Sequence, residues 1–362
     1  MKIFINGRFL SQQLTGVQRY AAEMVKAMDA LLAEDQCSPS LRDAEWQILA
    51  PADASDAIEL RRIKVRKIGR LAGHLWDQVD LPRAAAGGYL VSLANSGPVL
   101  HRHQIVVIHD AQVFRRPDFF SWNYLMVHRS LGRLLSRTAT IATVSEFSRR
   151  ELAEVLHLPP SAIAVIPNSA EHFGATAPDF GIIDRLGLTP QKFFLSVGSM
   201  TKNKNISLAI EAAKLLGQPD VPLVVVGGDN SKVFQGGPTA VTPGVILAGR
   251  LSDGEIAALY ARALAFVFPS LYEGFGVPPL EAMLFGCPVI ASTADAVAET
   301  CGDAAAYFNP LDAQELRLRM LERMAAGKIS PEERNRQLQR LAVFSWQRSA
   351  EQLLQLLNTA TR

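Results

Sequence analysis

Cysteine is scarce: Cys37, Cys287 and Cys301 are the three in 362 residues. Their spacing fits no metal-binding pattern, and so few thiols exclude a disulfide scaffold. They read as reduced thiols of a cytoplasmic protein. No apolar run reaches the roughly 18 residues that span a bilayer, so no membrane-crossing helix is expected. The start, Met1-Lys-Ile-Phe-Ile-Asn6, leads into a strand without the apolar core of a signal peptide. No G-x-G-x-x-G occurs, which counts against a dinucleotide oxidoreductase. The apolar share of 48% and charged share of 20% suit a soluble globular enzyme.

A chain of 362 residues is long enough for two domains, each with its own core. The net charge of +2 conceals an asymmetry: residues 61–150 hold fifteen Lys/Arg against five Asp/Glu. Such a basic face suits an anionic membrane surface or an anionic substrate. Nucleic acid is not expected, because no nucleic-acid-binding motif accompanies it.

The first half reads as a doubly wound parallel sheet. Residues 2–5 form a strand, and the loop to Gly16 leads into a helix with apolar residues every three and four positions from Val17 to Leu32. Further strands are expected at 46–50, 89–93, 104–109, 140–144 and 163–166, with one more inside 58–73. In such sheets ligands sit beyond the carboxyl ends of the strands. His109 closes the clearest buried strand at that end, so it is a candidate functional histidine. His74, His101, His103 and His128 have no such placement and read as surface or structural. Ser145 is a helix N-cap. Arg115, Arg116, Phe119, Phe120 and Trp122 mix cations with aromatics and suit contact with anionic lipid or with an acceptor; a buried aromatic core with solvated arginines is the alternative.

The pattern restarts in the second half. Strands are expected at 192–197, 221–226, 245–248, 265–268 and 288–291, with helices at 206–216 and 252–263, the latter opened by a Ser252–Glu255 capping box. Residues 292–299 read as a loop. Two helices, 312–324 and 331–341, and an amphipathic segment, 346–357, close the chain. The reading divides the chain into a first domain of residues 1–175, a linker at 176–191, a second domain at 192–343 and a final helical segment at 344–362.

The most informative stretch is 269–283. Glu273 precedes Gly274-Phe275-Gly276-Val277, Pro278-Pro279 marks a helix start, and Glu281 follows eight residues after Glu273. Glycine lets a backbone approach a ligand, and amides at a helix start favour a phosphate. Carboxylates beside such a site make sense against sugar hydroxyls. The plain alternative is a strand–turn–helix with a capping glutamate.

This Glu-x7-Glu segment around Gly-Phe-Gly resembles the signature of retaining glycosyltransferases with the GT-B fold, in particular family 4. The likeness extends to Gly16, His109, Ser145, Asn168, Lys204 and Glu299, and so over nearly the whole chain. It implies two Rossmann-like α/β domains facing across a cleft, with a final helix crossing back to the first domain. It implies that Glu273 contacts the donor sugar, Glu281 the nucleotide ribose and His109 the sugar near its anomeric centre. Gly16 would lie near the diphosphate, and Glu299 near the nucleotide. Lys204 and the amides of Phe275, Gly276 and Val277 would meet charge on the leaving diphosphate. Family members also place an arginine at a position that is Ser199 or Asn203 here; Lys202 or Arg250 could replace it. No Asp-x-Asp occurs to hold a magnesium. No metal and no cofactor are therefore expected.

The overall cast resembles bacterial exopolysaccharide and O-antigen mannosyltransferases. The expected reaction is transfer of a hexose, best mannose from GDP-mannose, to a glycan expected to be linked to polyprenyl diphosphate. The site would lie in the cytoplasm or against the inner face of the cytoplasmic membrane. A UDP-sugar donor and a non-catalytic nucleotide- or sugar-binding protein are the other readings.

Overall fold

The computed structural model describes residues 1–55, 58–228 and 243–361. The chain folds as two compact units, Met1–Asn168 with Ser345–Arg362, and Ser169–Phe344. Each is a parallel α/β sheet with helices around it.

The first sheet has seven strands: β1 Lys2–Asn6, β2 Glu45–Ala50, β3 Lys64–Lys67, β4 Tyr89–Ser92, β5 Gln104–Val107, β6 Thr140–Thr143 and β7 Ile163–Val165. Their order is β3-β2-β1-β4-β5-β6-β7, and every pairing is parallel. The order reverses between β1 and β4. Strands covered on both faces lose their polar alternation, and β4 and β5 are buried throughout. The main helices of this unit are α1 Gly16–Ala33, α2 Trp122–Thr138 and α3 Glu146–Leu156. Helix α1 buries Tyr20, Met24, Val25, Met28, Leu31 and Leu32, which form one stripe at helical spacing. Asp29 is buried among them and accepts the backbone N–H groups of Arg61, Arg62 and Ile63 at 2.6–2.8 Å, which fixes the approach to β3.

The second sheet has six strands: β8 Phe194–Val197, β9 Leu223–Val226, β10 Val245–Gly249, β11 Ala265–Phe268, β12 Val289–Ser292 and β13 Ala306–Phe308. Their order is β10-β9-β8-β11-β12-β13, again parallel, with the reversal between β8 and β11. The main helices are α4 Ile206–Leu216, α5 Asp253–Arg262, α6 Val277–Leu284, α7 Asp295–Cys301, α8 Ala313–Ala326 and α9 Pro331–Leu341. The capping box at Ser252 and Glu255 forms as the spacing predicts.

The last helix, α10 Trp346–Ala360, belongs to the first unit. It packs on α1: Trp346 lies edge-on to Tyr20 with centroids 5.7 Å apart, and Leu353, Leu354 and Leu357 are buried. Ser349 Oγ donates to Pro167 O at 2.8 Å.

Several stretches differ from the sequence reading. Residues 176–191 do not form a separate linker but part of the second unit. Ile182 and Ile183 are buried, and Asp179 N–H donates to Gly254 O at 2.9 Å. The prolines and weak periodicity conceal a helix only five residues long, Gly181–Arg185. Residues 169–175 and Phe344 also belong to the second unit. Residues 292–299 are not a loop, because α7 starts at Asp295 and carries Glu299. Its first-turn aspartate and two alanines favour a helix that is too short to show a period. Strand β13, of three residues, carries no sequence signal of its own.

Candidate functional site

In the second unit, the loops that follow β8 and β11 lie at the reversal of strand order, where a parallel sheet leaves room for a ligand. Two links tie them together. Leu271 N–H donates to Asn203 O at 2.7 Å, and Asn205 Nδ2 donates to Pro269 O at 3.1 Å and Pro310 O at 2.8 Å. Asn205 adopts a left-handed backbone, φ 53°, in which asparagine is one of the few tolerated side-chain-bearing residues. The sequence reading gave Asn205 no role; an asparagine just ahead of an apolar helical stripe was the available signal.

This lacing places Lys204 Nζ 2.7 Å from Glu273 Oε1. The lysine side chain is 23% exposed and the glutamate 12%, so the ion pair faces solvent only in part. The chain then runs through Gly274, Phe275 and Gly276 into α6. Gly276 takes φ 101°, a conformation that side chains rarely adopt, and it supplies no side-chain cap to the helix. Thr300 Oγ donates to the Phe275 carbonyl at 2.7 Å, and the Phe275 ring packs edge-on to Phe344 at 5.1 Å. Phe275 is thus held from both ends while its amide stays available. Among the described residues, the N–H groups of Phe275, Gly276 and Val277 meet no protein acceptor. Three unmet donors at a helix start, with an ammonium group on the neighbouring loop, form an anion-binding arrangement.

Glu281 sits one turn into α6, where Tyr260 OH donates to its Oε2 at 3.4 Å. Burial first, and then the nearby Glu281 carboxylate, push the Tyr260 phenol well above its ordinary value, so it stays a donor. Tyr260 was not picked out from sequence, where it reads as one apolar position of a helix.

Close glycine contacts continue the same sheet edge. A side chain on Gly227 would collide with the Gly198 carbonyl, and one on Gly228 with the Arg250 guanidinium. Gly198 itself lies against the Lys204 side chain, 3.7 Å from where a Cβ would stand. Arg250 is therefore on this edge, two strands from β8. Lys202 and Ser199 are exposed, and Ser199 Oγ lies 3.0 Å from Thr201 Oγ1. Glu299 is half-buried on α7, its carbonyl bound by Arg340.

In the first unit, His109 follows β5 and is buried. Its backbone N–H donates to Asn95 Oδ1 at 2.7 Å, and its Nε2 lies 2.9 Å from Leu93 O. A carbonyl only accepts, so Nε2 carries the proton and Nδ1 presents a lone pair. Burial lowers the ring from its ordinary 6.5 to about 4, a shift that the Leu93 contact only partly offsets. His109 is therefore neutral at physiological pH. A histidine lowered by folding favours the native state fully above the ordinary value and progressively less as pH falls toward the lowered one. Wild-type protein should thus lose stability between pH 6.5 and about 4 relative to His109→Asn. Urea unfolding at a series of pH values checks this; parallel profiles contradict the burial argument.

Gly16 opens α1, exposed, with open space where a side chain would stand. Ser145 caps α3, accepting from Ser148 N–H at 3.0 Å, and Asn168 is buried at the end of the first unit's main segment. Arg115 is gripped by Glu151 and Glu154, and Arg116 pairs with Asp118 and lies 4.0 Å over the Phe119 ring. Phe120 is half-buried and stacks on Tyr124 at 5.1 Å. Trp122 is 70% exposed and heads a face of α2 that also exposes Met126, Val127 and Leu134.

Residues 182–337 match the family described as "Glycosyl transferases group 1". Over that stretch, a little under half of the chain, it is similar to the group 1 glycosyl transferases. The chain is 27% identical to O-antigen chain mannosyltransferase B of Escherichia coli, over 98% of each chain. Its fold is that of sucrose-phosphate synthase from Thermosynechococcus elongatus, with a TM-score of 0.72, 17% identity, and coverage of 99% of this chain and 98% of that one. The Anabaena protein Alr3699/HepE in complex with UDP-glucose matches at a TM-score of 0.70 and 18% identity, over 99% of this chain and 100% of that chain. Two Rossmann-like parallel sheets, as found here, are the GT-B architecture.

Proposed function

We propose that the protein is a retaining, metal-independent mannosyltransferase that moves mannose from GDP-mannose to a growing O-antigen or exopolysaccharide chain carried on a polyprenyl diphosphate. The observation that carries this is the Lys204–Glu273 pair beside the three unmet amides at the start of α6. One segment offers a carboxylate for sugar hydroxyls and donors for a diphosphate. The full-length likeness to an O-antigen mannosyltransferase supports mannose as the sugar.

In this reading the leaving diphosphate gathers negative charge as the bond to the anomeric carbon breaks. Lys204 and the amides of Phe275, Gly276 and Val277 meet that charge where it develops. Arg250 stands further along the same edge, the stronger replacement for the missing arginine; Lys202 is exposed. Glu281 takes the ribose hydroxyls, with Tyr260 holding its other side. Glu299 lies near the nucleotide. Glu273 and Glu281 lie on one segment and do not flank the bond as glycosidase carboxyls do. Retention then proceeds on one face of the sugar, with the leaving phosphate taking the acceptor's proton and no separate base.

The exposed Trp122 face of α2 and its arginines would rest on anionic lipid at the cytoplasmic membrane. Thermal-shift screening should show stabilisation by GDP-mannose above UDP-sugars, and the purified protein should slowly hydrolyse the stabilising donor without added metal. Stabilisation by UDP-glucose alone would replace the donor, and the absence of any response would remove the reading. Sedimentation with phosphatidylglycerol vesicles, but not phosphatidylcholine, is expected; equal sedimentation would remove the membrane contact.

A further inference from the structure

The strand order of the first sheet reverses between β1 and β4, and a buried polar network fills that point. Asn6 Nδ2 donates to Asp77 Oδ1 and Ser92 Oγ, both at 3.3 Å, and to Ser96 O at 3.4 Å. Ser96 Oγ donates to Asp77 Oδ2 at 2.7 Å. Asp77 and Ser92 have no exposure. Arg8 closes the network: its Nη1 donates to Asp77 Oδ2 and lies 3.3 Å from Ser96 Oγ and 3.2 Å from His74 Nδ1.

Among the described residues, the three side-chain contacts of Arg8 all fall on Nη1. Among the described residues, no protein group meets its Nε or Nη2. The Nε–Nη2 edge is a side from which a guanidinium grips an oxyanion through two parallel bonds. Arg115 and Arg116 differ, since carboxylates already take that edge of each. Two imidazoles stand nearby: the His74 and His128 rings are 5.3 Å apart, and Tyr124 lies 3.9 Å from His128. Burial and the Arg8 charge lower His74; burial, then His74 and Arg8, bring His128 to about 4. The charged groups facing this cluster are Arg8, Asp77 and Asp110. Arg8 and Asp77 cancel, and the histidines are uncharged until an anion draws protons onto them.

We propose that Arg8, with His74 and His128, forms an oxyanion site for a phosphate group of the acceptor. The site rests on the glycosyltransferase reading only for naming the acceptor as the source of that group. A bare phosphate is the first probe. Inorganic phosphate titrated into the full-length protein should move two histidine Cε1–H resonances toward the protonated position, assigned with His74→Gln and His128→Gln. In Arg8→Gln/Asp77→Asn, which removes both charges together, the apparent affinity should fall about tenfold. Should that variant unfold, Arg8→Lys, which keeps the charge but not the fork, should weaken binding about fivefold. Lys204→Gln should leave both resonance shifts in place, which separates this site from the second unit. Unmoved histidines, or shifts of equal affinity in the Arg8 variants, would overturn the site. Displacement of phosphate by a polyprenyl diphosphate analogue assigns the lipid carrier, and displacement by mannose 6-phosphate, a phosphomonoester of the sugar that is not part of the donor, assigns the glycan. Displacement by neither overturns the acceptor assignment. A wild-type protein that binds phosphate here yet never turns over a nucleotide sugar would defeat the glycosyltransferase reading and leave the anion site standing.

Discussion

Replacing Lys204 by methionine is expected to lower kcat about a thousandfold. Nζ lies 2.7 Å from Glu273, whose segment continues into three amides that, among the described residues, meet no protein acceptor. Without donor, the Glu273 carboxylate neutralises the lysine. With donor, a diphosphate of higher charge competes for it, and the competition strengthens as the sugar–phosphate bond stretches. A single oxyanion donor contributes about 2.7–4 kcal/mol to such a step. Lys204→Met also leaves the Glu273 charge in place and repelling the leaving group, which sets the loss at the upper end. The stability cost is smaller, about 1–2 kcal/mol, because the pair is partly exposed. Turnover with the stabilising donor, set against a thermal melt, separates the two effects. A melt that collapses together with activity would make Lys204 structural.

Glu273→Gln is expected to lower kcat about a hundredfold while tightening the hold on free GDP. Glutamine keeps the shape and loses the charge. Sugar hydroxyls then lose a strong acceptor, and Lys204 loses its competing partner, so the diphosphate gains the lysine outright. Turnover and product inhibition thus move in opposite directions, which loss of packing alone would not produce. Initial rates at increasing GDP read both effects. Full turnover in Glu273→Gln would remove the sugar contact assigned to this residue. Because the two side chains act on each other, Lys204→Met/Glu273→Gln should fall well short of the summed losses.

Much of this was legible in the sequence because the informative residues are local. Apolar runs such as 104–107 and 223–226 announce buried parallel strands, and Glu273 to Glu281 lie on one short segment whose Gly276 and prolines fix its shape. The contact between Lys204 and Glu273 is different in kind, since it depends on β8 and β11 being neighbours at the reversal of strand order. No local pattern states that. The same reason hides the Arg8 network, which draws on the ends of β1 and β4 and on the segment between β3 and β4. His74 and His128 read as surface or structural histidines because nothing near them in sequence shows their shared arginine. Helix α7 and strand β13 were missed because seven and three residues are too few to establish a period. Residues 176–191 look like a linker by composition, yet Ile182 and Ile183 anchor them to the second unit.

Calorimetric titration of GDP and of guanosine into wild type and Lys204→Met puts the anion site to the most direct test. GDP should bind the variant at least about tenfold more weakly, while guanosine binds both alike. Equal GDP affinity in the two proteins would contradict a diphosphate held by Lys204 at the start of α6.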